Sequence, residues 1–409
     1  MPAFAFLPQI LYILKLIVLI IRLLGHALVN MQETNSPLSP VQLISTACLL
    51  LASFTLSSTE IKLGMSTALS GPTKNLGLQV RQGAETYFKQ YNQSEKGRKH
   101  PITLISYDDG YEPHDTVINT IKLIEDDKVF ALFGYVGTPT SKAIMPLLEE
   151  HNIIYFSPYT GADFLRSPIK KNIFNIRASY YTEAETQVEY FIDQLNLSKA
   201  ALFIQADAFG LTASKGYKNA LSARGISAIE QLRYKRNTSD IALATERLKQ
   251  LNPEVIFCVG TYEPIAKLIN ELRAANINSH IVMLSFVGAQ SLIKRLKYFN
   301  NVYVTLVMQD PHESQLPIVK DYRKAMAGQA LSHESLEGYV DAAVFAAIVS
   351  SIKGEINHKS FIRYAEQLRM DLGGLPIYFS EYDHQGLNKA YLNQITPAGL
   401  KPVGDKSAK

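Results

Sequence analysis

From Glu60 onward the chain alternates short, β-rich apolar runs with segments of helical period, and this rhythm restricts the fold more than any other feature. Ile61–Leu69 reads as a strand. Leu76, Val80, Tyr87, Phe88 and Tyr91 then recur at helical spacing, with Gly83-Ala84 on the close-packed side. Ile102–Tyr107 is a strand, and Val117, Ile118, Ile121 and Ile124 predict the apolar face of the helix after it. Val129–Phe133, a helix around Ala143–Leu148, and Ile153–Phe156 continue the series. Repeated strand–helix–strand units of this kind build a parallel sheet covered on both faces.

The organisation changes around residues 173–184. A strand-like Ile173-Phe174-Asn175-Ile176-Arg177 leads to Thr182-Glu183-Ala184-Glu185, whose capping-box form predicts a helix starting at Glu183. A second alternating set follows through Val307, with helices predicted beyond it at Ile318–Ala327, Gly338–Ser351 and Ser360–Arg369, then a polar tail. The predicted fold class is α/β, with two doubly wound parallel-sheet lobes joined by a multi-strand hinge. Residues 60–178 and 309–378 are assigned to the first lobe, and 179–308 and 379–409 to the second. No low-complexity linker separates them, which suits hinge motion better than tethered domains.

The 409 residues exceed one ordinary domain, and 47% hydrophobic content is enough to build cores. A net charge of +4 with interspersed acids and bases gives no basic stripe, so nucleic acid is excluded as a partner. The two cysteines leave no internal disulfide framework, since Cys48 lies in an N-terminal apolar run and Cys258 in the strand-like Val255–Val259. Cys258 is expected to be a buried, inert thiol.

Residues 1–59 form a hydrophobic export segment in this reading. Ile10–Leu24 is almost continuously aliphatic but carries Lys15 and Arg22. It fits an interfacial helix, a span with snorkelling cations, or a start codon placed too early. Val41–Leu56 has the length of a signal-peptide core, and Met31–Ser58 makes a signal whose n-region carries Glu33 as its single charge. Ser45-Thr46-Ala47-Cys48 matches a lipoprotein cleavage box loosely. The expected location is periplasmic or otherwise extracytoplasmic, with N-terminal membrane anchoring open.

Catalytic signatures are missing: the sequence has no G-x-x-x-x-G-K-[ST], no G-x-S-x-G and no H-E-x-x-H. Asp108-Asp109 follows a strand and is read as capping the next turn. What the sequence does carry is a set of small, polar loops after strands, where open α/β sheets bind ligands against helix N-termini. These are Ser70–Gly77, Gly134–Ser141 and Ser157–Gly161 in the first half. Ala206–Gly210, Gly260–Glu263 and Ser285–Gly288 follow in the second. No cofactor and no metal is expected, and no reaction.

Taken in order, Ile61-Lys62-Leu63-Gly64, Ser70-Gly71-Pro72, Gln82-Gly83-Ala84, Tyr107-Asp108-Asp109, Asp127–Gly134, Ser157-Pro158, Asp207–Gly210, Pro253–Ile256 and Gly338–Ala342 resemble a known family. It is the type I periplasmic solute-binding proteins of the leucine/isoleucine/valine-binding class, and the resemblance runs from Ile61 to about Thr396. It implies a small polar ligand (an amino acid, amide or carboxylate) captured between closing lobes and delivered to the membrane permease of an ABC transporter. The same clamp serving as a membrane-anchored sensor, signalling to a partner protein, is the alternative. By the resemblance, Thr138 falls where a hydroxyl meets the ligand carboxylate, and Thr160 and Gly161 at first-lobe contacts. Phe209 and Tyr262 match aromatics that flank the ligand. Two positions depart from the pattern. Leu76 stands where an aromatic ring is frequent, and Ser285 near where a carboxylate receives the ligand ammonium, leaving Glu263 or Glu183 as substitutes.

Overall fold

The computed structural model describes residues 60–403. The expectations for residues 1–59, including the export signal and Cys48, lie outside the described residues.

Strands β1 (Ile61–Thr67), β2 (Ile102–Asp108), β3 (Ala131–Phe133), β4 (Ile154–Phe156) and β5 (Ile173–Phe174) form a parallel sheet in the order β2-β1-β3-β4-β5. A second sheet has the order β14-β13-β10-β9-β8-β6-β7. Its parallel part comprises β6 (Ala200–Gln205), β7 (Gln231–Tyr234), β8 (Val255–Val259), β9 (His280–Met283) and β10 (Val302–Leu306). The polar tail predicted after the last helix instead folds as β13 (Tyr391–Thr396) and β14 (Gly399–Pro402), antiparallel at the edge of this sheet. A separate antiparallel ribbon is formed by β11 (Arg369–Asp371) and β12 (Pro376–Tyr378).

Each sheet is the floor of one lobe, and both lobes are α/β as the sequence predicted. The chain crosses between them at residues 175–179, 307–316 and 379–390. Two of these crossings pair with each other: Gly386 N donates to Asn175 O, Leu387 N donates to Ile176 O, and the Gln385 side chain binds the carbonyls of Ile176 and Arg177. Two of the three hinge segments are therefore tied to each other by hydrogen bonds.

Helix α1 (Lys74–Gln93) follows β1, and α2 (Pro113–Glu125) follows β2. The predicted apolar face of α2 is not the buried one. Ile118 is 53% exposed, while Thr116, Thr120 and Leu123 face the sheet. The hydroxyls are buried because each has a partner there: Thr116 Oγ1 reaches Asp109 and Thr120 Oγ1 meets Tyr135 Oη. Helix α3 (Thr138–Ala143) opens after β3 and breaks before Met145-Pro146, where a proline cannot supply an N–H to continue it.

Helix α4 (Tyr180–Val188) begins earlier than the capping box suggested. Ser179 is the N-cap, its Oγ accepting from Thr182 N; Glu185, the acid of the box, pairs with Arg224 at 2.8 Å, and Glu183 turns inward and is buried. Helices α5 (Ala208–Ser222) and α6 (Tyr262–Ala274) start at the ends of β6 and β8. Late in the chain α7 (His333–Ser351), capped by Ser332, returns to the first lobe. It lies against α1 so closely that a methyl at Gly83 would overlap the Ser335 carbonyl, and one at Gly338 the Val80 carbonyl. Behind it Phe345 packs edge-on against Phe133 and Phe156, anchoring the helix to the strands. Cys258 is buried and free, as expected.

Candidate functional site

Every loop singled out in the sequence sits at the carboxyl end of a parallel strand, and the two sets face each other across the junction of the lobes. From the first lobe come Asn75-Leu76 at the start of α1, Tyr111 after β2, Thr138 after β3, Tyr159–Gly161 after β4 and Arg177 after β5. Phe209, Tyr262 and Ser285-Phe286 come from the second, after β6, β8 and β9.

Thr138 Oγ1 and Thr160 Oγ1 are 2.7 Å apart and buried, with Thr160 also bonded to Tyr180 Oη at 3.2 Å. Gly137, at φ 112, supplies the left-handed backbone that swings Thr138 into this position, and a side chain there would strike Tyr111. Gly161 is needed for packing: a methyl would meet the Tyr180 backbone nitrogen, which donates to Gly161 O at 2.8 Å. The Tyr180 ring packs on Phe209 at 5.3 Å, and Phe209 on Phe286 at 4.7 Å. Phe286 in turn touches Tyr159 at 5.6 Å and Tyr111 at 6.1 Å, so one second-lobe ring is enclosed by aromatics of both lobes.

Tyr262 occupies the other side of the junction. The Cβ position of Gly288 lies 2.9 Å from Leu76 Cδ2 and 3.2 Å from Tyr262 Cδ1, so Leu76 and Tyr262 face each other over that glycine. Nearby, Asn75 Nδ2 donates to Ser291 Oγ at 3.0 Å across the lobes.

Ser285 is held, not free. Arg177 Nη2 donates to Ser285 Oγ at 2.6 Å, and Ser285 passes its N–H and hydroxyl to the two oxygens of Glu183 at 2.7 and 2.9 Å. Thr305 Oγ1 donates to Glu183 as well. Glu183 is thus already satisfied beneath Ser285, and Glu263 is turned away into an ion pair with Arg295 at 2.6 Å. Neither stands ready to replace the missing carboxylate as the sequence had suggested.

Arg177 is the charge centre of the junction. Burial works against its charge, but Glu337, with the Tyr159 and Tyr180 rings and Glu183, outweighs it and holds the guanidinium firmly protonated. It stacks 4.1 Å over the Tyr159 ring, and its Nε lies 3.2 Å from Glu337 Oε1 without hydrogen-bond alignment. Glu334, Glu337 and Asp341 lie along one face of α7, and burial raises the pKa of each carboxyl despite Arg177. Among the described residues no metal-binding cluster is present, and no helix is long and apolar enough to cross a membrane.

Sequence reasoning names the loops, and Glu183 as a possible amine partner, but not Phe286, Tyr159, Arg177 or Glu334 as site residues. Phe286 and Tyr159 sat inside loops already singled out. Arg177 and Glu183 lay in the hinge segment, and Glu334 opens a helix far downstream with no strand-end signal.

Two facing lobes, a hinge of paired strands and a polar–aromatic junction between them are the architecture of a substrate-binding protein. The chain belongs to the periplasmic binding protein family, whose model matches residues 60–400. A leucine/isoleucine/valine-binding protein homolog 3 of Brucella melitensis is 22% identical over 289 residues, 70% of this chain and 77% of that one. The Leu/Ile/Val-binding protein of Escherichia coli K12 is 19% identical over 223 residues, 54% of this chain and 60% of that one. In three dimensions the chain is similar to a possible leucine/isoleucine/valine-binding protein from Rhodopirellula baltica. The TM-score is 0.81 at 33% identity, covering 86% of this chain and 98% of that one. Family membership implies an extracytoplasmic location and a solute-binding function.

Proposed function

We propose that the chain is the receptor of an ABC-type importer, capturing a small amino-acid-like, amide or carboxylate solute between the lobes by hinge closure. In this reading Thr138, Thr160, Gly161, Phe209, Tyr262 and Ser285 line the ligand site, and a membrane permease receives the solute. The observation that carries the proposal is the buried Thr138–Thr160 hydroxyl pair at the strand ends. Each hydroxyl can rotate its one proton from its present partner to an oxygen anion, and the first turn of α3 adds backbone N–H groups beside the pair. The similarity to a possible leucine/isoleucine/valine-binding protein over nearly its whole length supports the same reading.

A thermal-shift screen of the full chain against amino acids, amides and small organic acids tests it, since a ligand of the folded state raises Tm by mass action. One chemical class is expected to raise Tm, and the Thr138→Ala/Tyr262→Ala double variant to bind it at least tenfold more weakly. Unchanged affinity in the double variant would place the ligand elsewhere.

A further inference from the structure

Arg166 follows the short turn Asp163–Leu165 in the first lobe and is half-buried. Every hydrogen bond it makes among the described residues goes to a neutral oxygen. Nε donates to Gln385 Oε1 at 2.7 Å, and Nη1 to Ala162 O at 2.9 Å. Nη2 donates to two carbonyls, Arg177 O at 2.9 Å and Thr160 O at 3.3 Å. A guanidinium that meets only neutral acceptors forgoes the stronger bonds a carboxylate would give. The planar fork supplies fixed geometry instead, because its donors leave one rigid plane in set directions.

These acceptors belong to three separate segments. Thr160 and Ala162 lie in the loop after β4, Arg177 in the first hinge crossing and Gln385 in the third. Gln385 extends the tie, its Nε2 donating to the carbonyls of Ile176, Arg177 and Leu387 at 3.1, 2.6 and 2.6 Å. The middle crossing is held in the same manner. Arg323, on the first-lobe helix Pro317–Ala325, donates through Nη1 to the carbonyls of Pro311 and Ser314 at 3.3 and 2.9 Å. First-lobe guanidiniums therefore grip all three crossings by their backbone. On the second-lobe side the first and third crossings share a thinner link, Thr182 Oγ1 to Asn388 Oδ1 at 3.0 Å. Between that link and the arginine knot, the backbone N–H groups of Ala178, Ser179 and Asn388 have no hydrogen-bond acceptor among the described residues. Such untied positions at the ends of elements absorb the φ/ψ change of a hinge.

We propose that Arg166 is the positioning residue of the hinge. It binds the first and third crossings to the first lobe as far as Arg177 and Gln385, so the lobes swing about Ala178-Ser179 and Leu387-Asn388. Because one nitrogen holds the carbonyls of Thr160 and Arg177, these two residues keep a constant spacing while the second lobe, with Ser285, moves onto them. The role of Thr160 as a ligand group rests on the receptor reading above. On that reading the first-lobe half of the site is assembled before closure. A lysine at 166 would keep the charge but, with a single nitrogen, could not span the same oxygens.

Nitroxides at Glu125→Cys in the first lobe and Leu243→Cys in the second, both exposed positions, test this on the full chain carrying Cys48→Ser. Double electron–electron resonance then reads the inter-lobe distance distribution without ligand. Arg166→Met and Arg166→Lys should each widen that distribution about twofold or more relative to the parent, as expected of a hinge freed at further positions. Hydrogen exchange at the Gly386 and Leu387 amides, which donate into the first crossing, should quicken roughly tenfold in both variants. A lowered Tm with an unchanged distribution would make Arg166 a packing residue and overturn the proposal. A parental distribution in Arg166→Lys would also overturn it, since charge without the fork would then suffice. Should Arg166→Met fail to fold, Arg166→Lys and Gln385→Ala decide by the same measure. The ligand-free distances stand whatever the thermal-shift screen finds, so a screen without hits would strike the receptor reading and leave the hinge assignment intact.

Discussion

Arg236, just beyond β7 in the second lobe, bonds to the Glu112 carboxylate of the first lobe at 2.6 Å and to the Tyr111 carbonyl at 2.5 Å. Asn237 Nδ2 reaches the second oxygen of Glu112 at 2.6 Å. The rim of the junction is thus latched by one carboxylate that two neighbouring second-lobe residues share. Glu112 is 44% exposed, so solvent and salt screen the pair. Glu112→Ala is expected to weaken ligand binding by about two- to fivefold, as suits an exposed pair of about 1 kcal/mol or less. Most of that change should appear as faster release, and it should fade at high salt. Stopped-flow release rates at two ionic strengths would check this, and equal rates at low salt would remove the latch from the closing mechanism.

Phe286 predicts a second result. Its ring is buried against Tyr111, Tyr159 and Phe209, contributed by both lobes. Truncation to alanine leaves a cavity that a closed junction cannot collapse into, and should cost about 3–5 kcal/mol on urea unfolding. The enlarged space should also admit bulkier ligands than wild type accepts. A loss below about 1 kcal/mol would mean that the ring is free to leave the junction.

The contact of α1 with α7 leaves no room for a methyl. Gly83→Ala and Gly338→Ala each drive a Cβ into a carbonyl of the facing helix, so backbone must move in either variant. A loss of about 2 kcal/mol or more is expected from each, read as a fall in Tm. Because α7 carries Glu337, which faces Arg177 at the junction, ligand affinity should fall as well. Wild-type Tm in both variants would show that the helices can separate at little cost.

Asp109 predicts a pH effect. Burial pushes its carboxyl up to about 6, while hydrogen bonds from Tyr111 N, Ser66 and Thr116 pull the other way. The folded state therefore holds a proton that the unfolded chain releases near pH 4. The stabilisation is complete below about pH 4 and is lost as pH rises through about 6. Relative to Asp109→Asn, wild type should lose up to roughly 3 kcal/mol of stability over that interval. Parallel urea titrations of both proteins at pH 4, 5, 6 and 7 would measure it. A constant difference across the series would show that Asp109 ionises normally.

Where pattern depends on local chain properties, the sequence was legible. The buried parallel strands, such as Val255–Val259, read as continuous apolar runs because both faces are covered. The loops after them were found because strand-to-helix turns need small, polar residues. Errors arose where a partner far along the chain decided the outcome. On α2 the apolar spacing points to the isoleucines as the buried face, yet Thr116 and Thr120 occupy it because Asp109 and Tyr135 lie beneath. At α4 the box at Thr182 lost to Ser179, whose hydroxyl takes Thr182 N, while Glu185, the acid of the box, is drawn to Arg224, 39 residues away.

The sequence by itself determined the two α/β lobes, the family, the absence of catalytic motifs and the loops that meet at the junction. These follow from periodicity and residue type, which act over a few neighbouring residues. Tertiary structure alone decided that Arg177 takes Ser285, that Phe286 fills the space between the lobes, and that Glu334 arrives buried. Such matters depend on which distant charges and rings share one desolvated volume, and no local pattern in the chain encodes that.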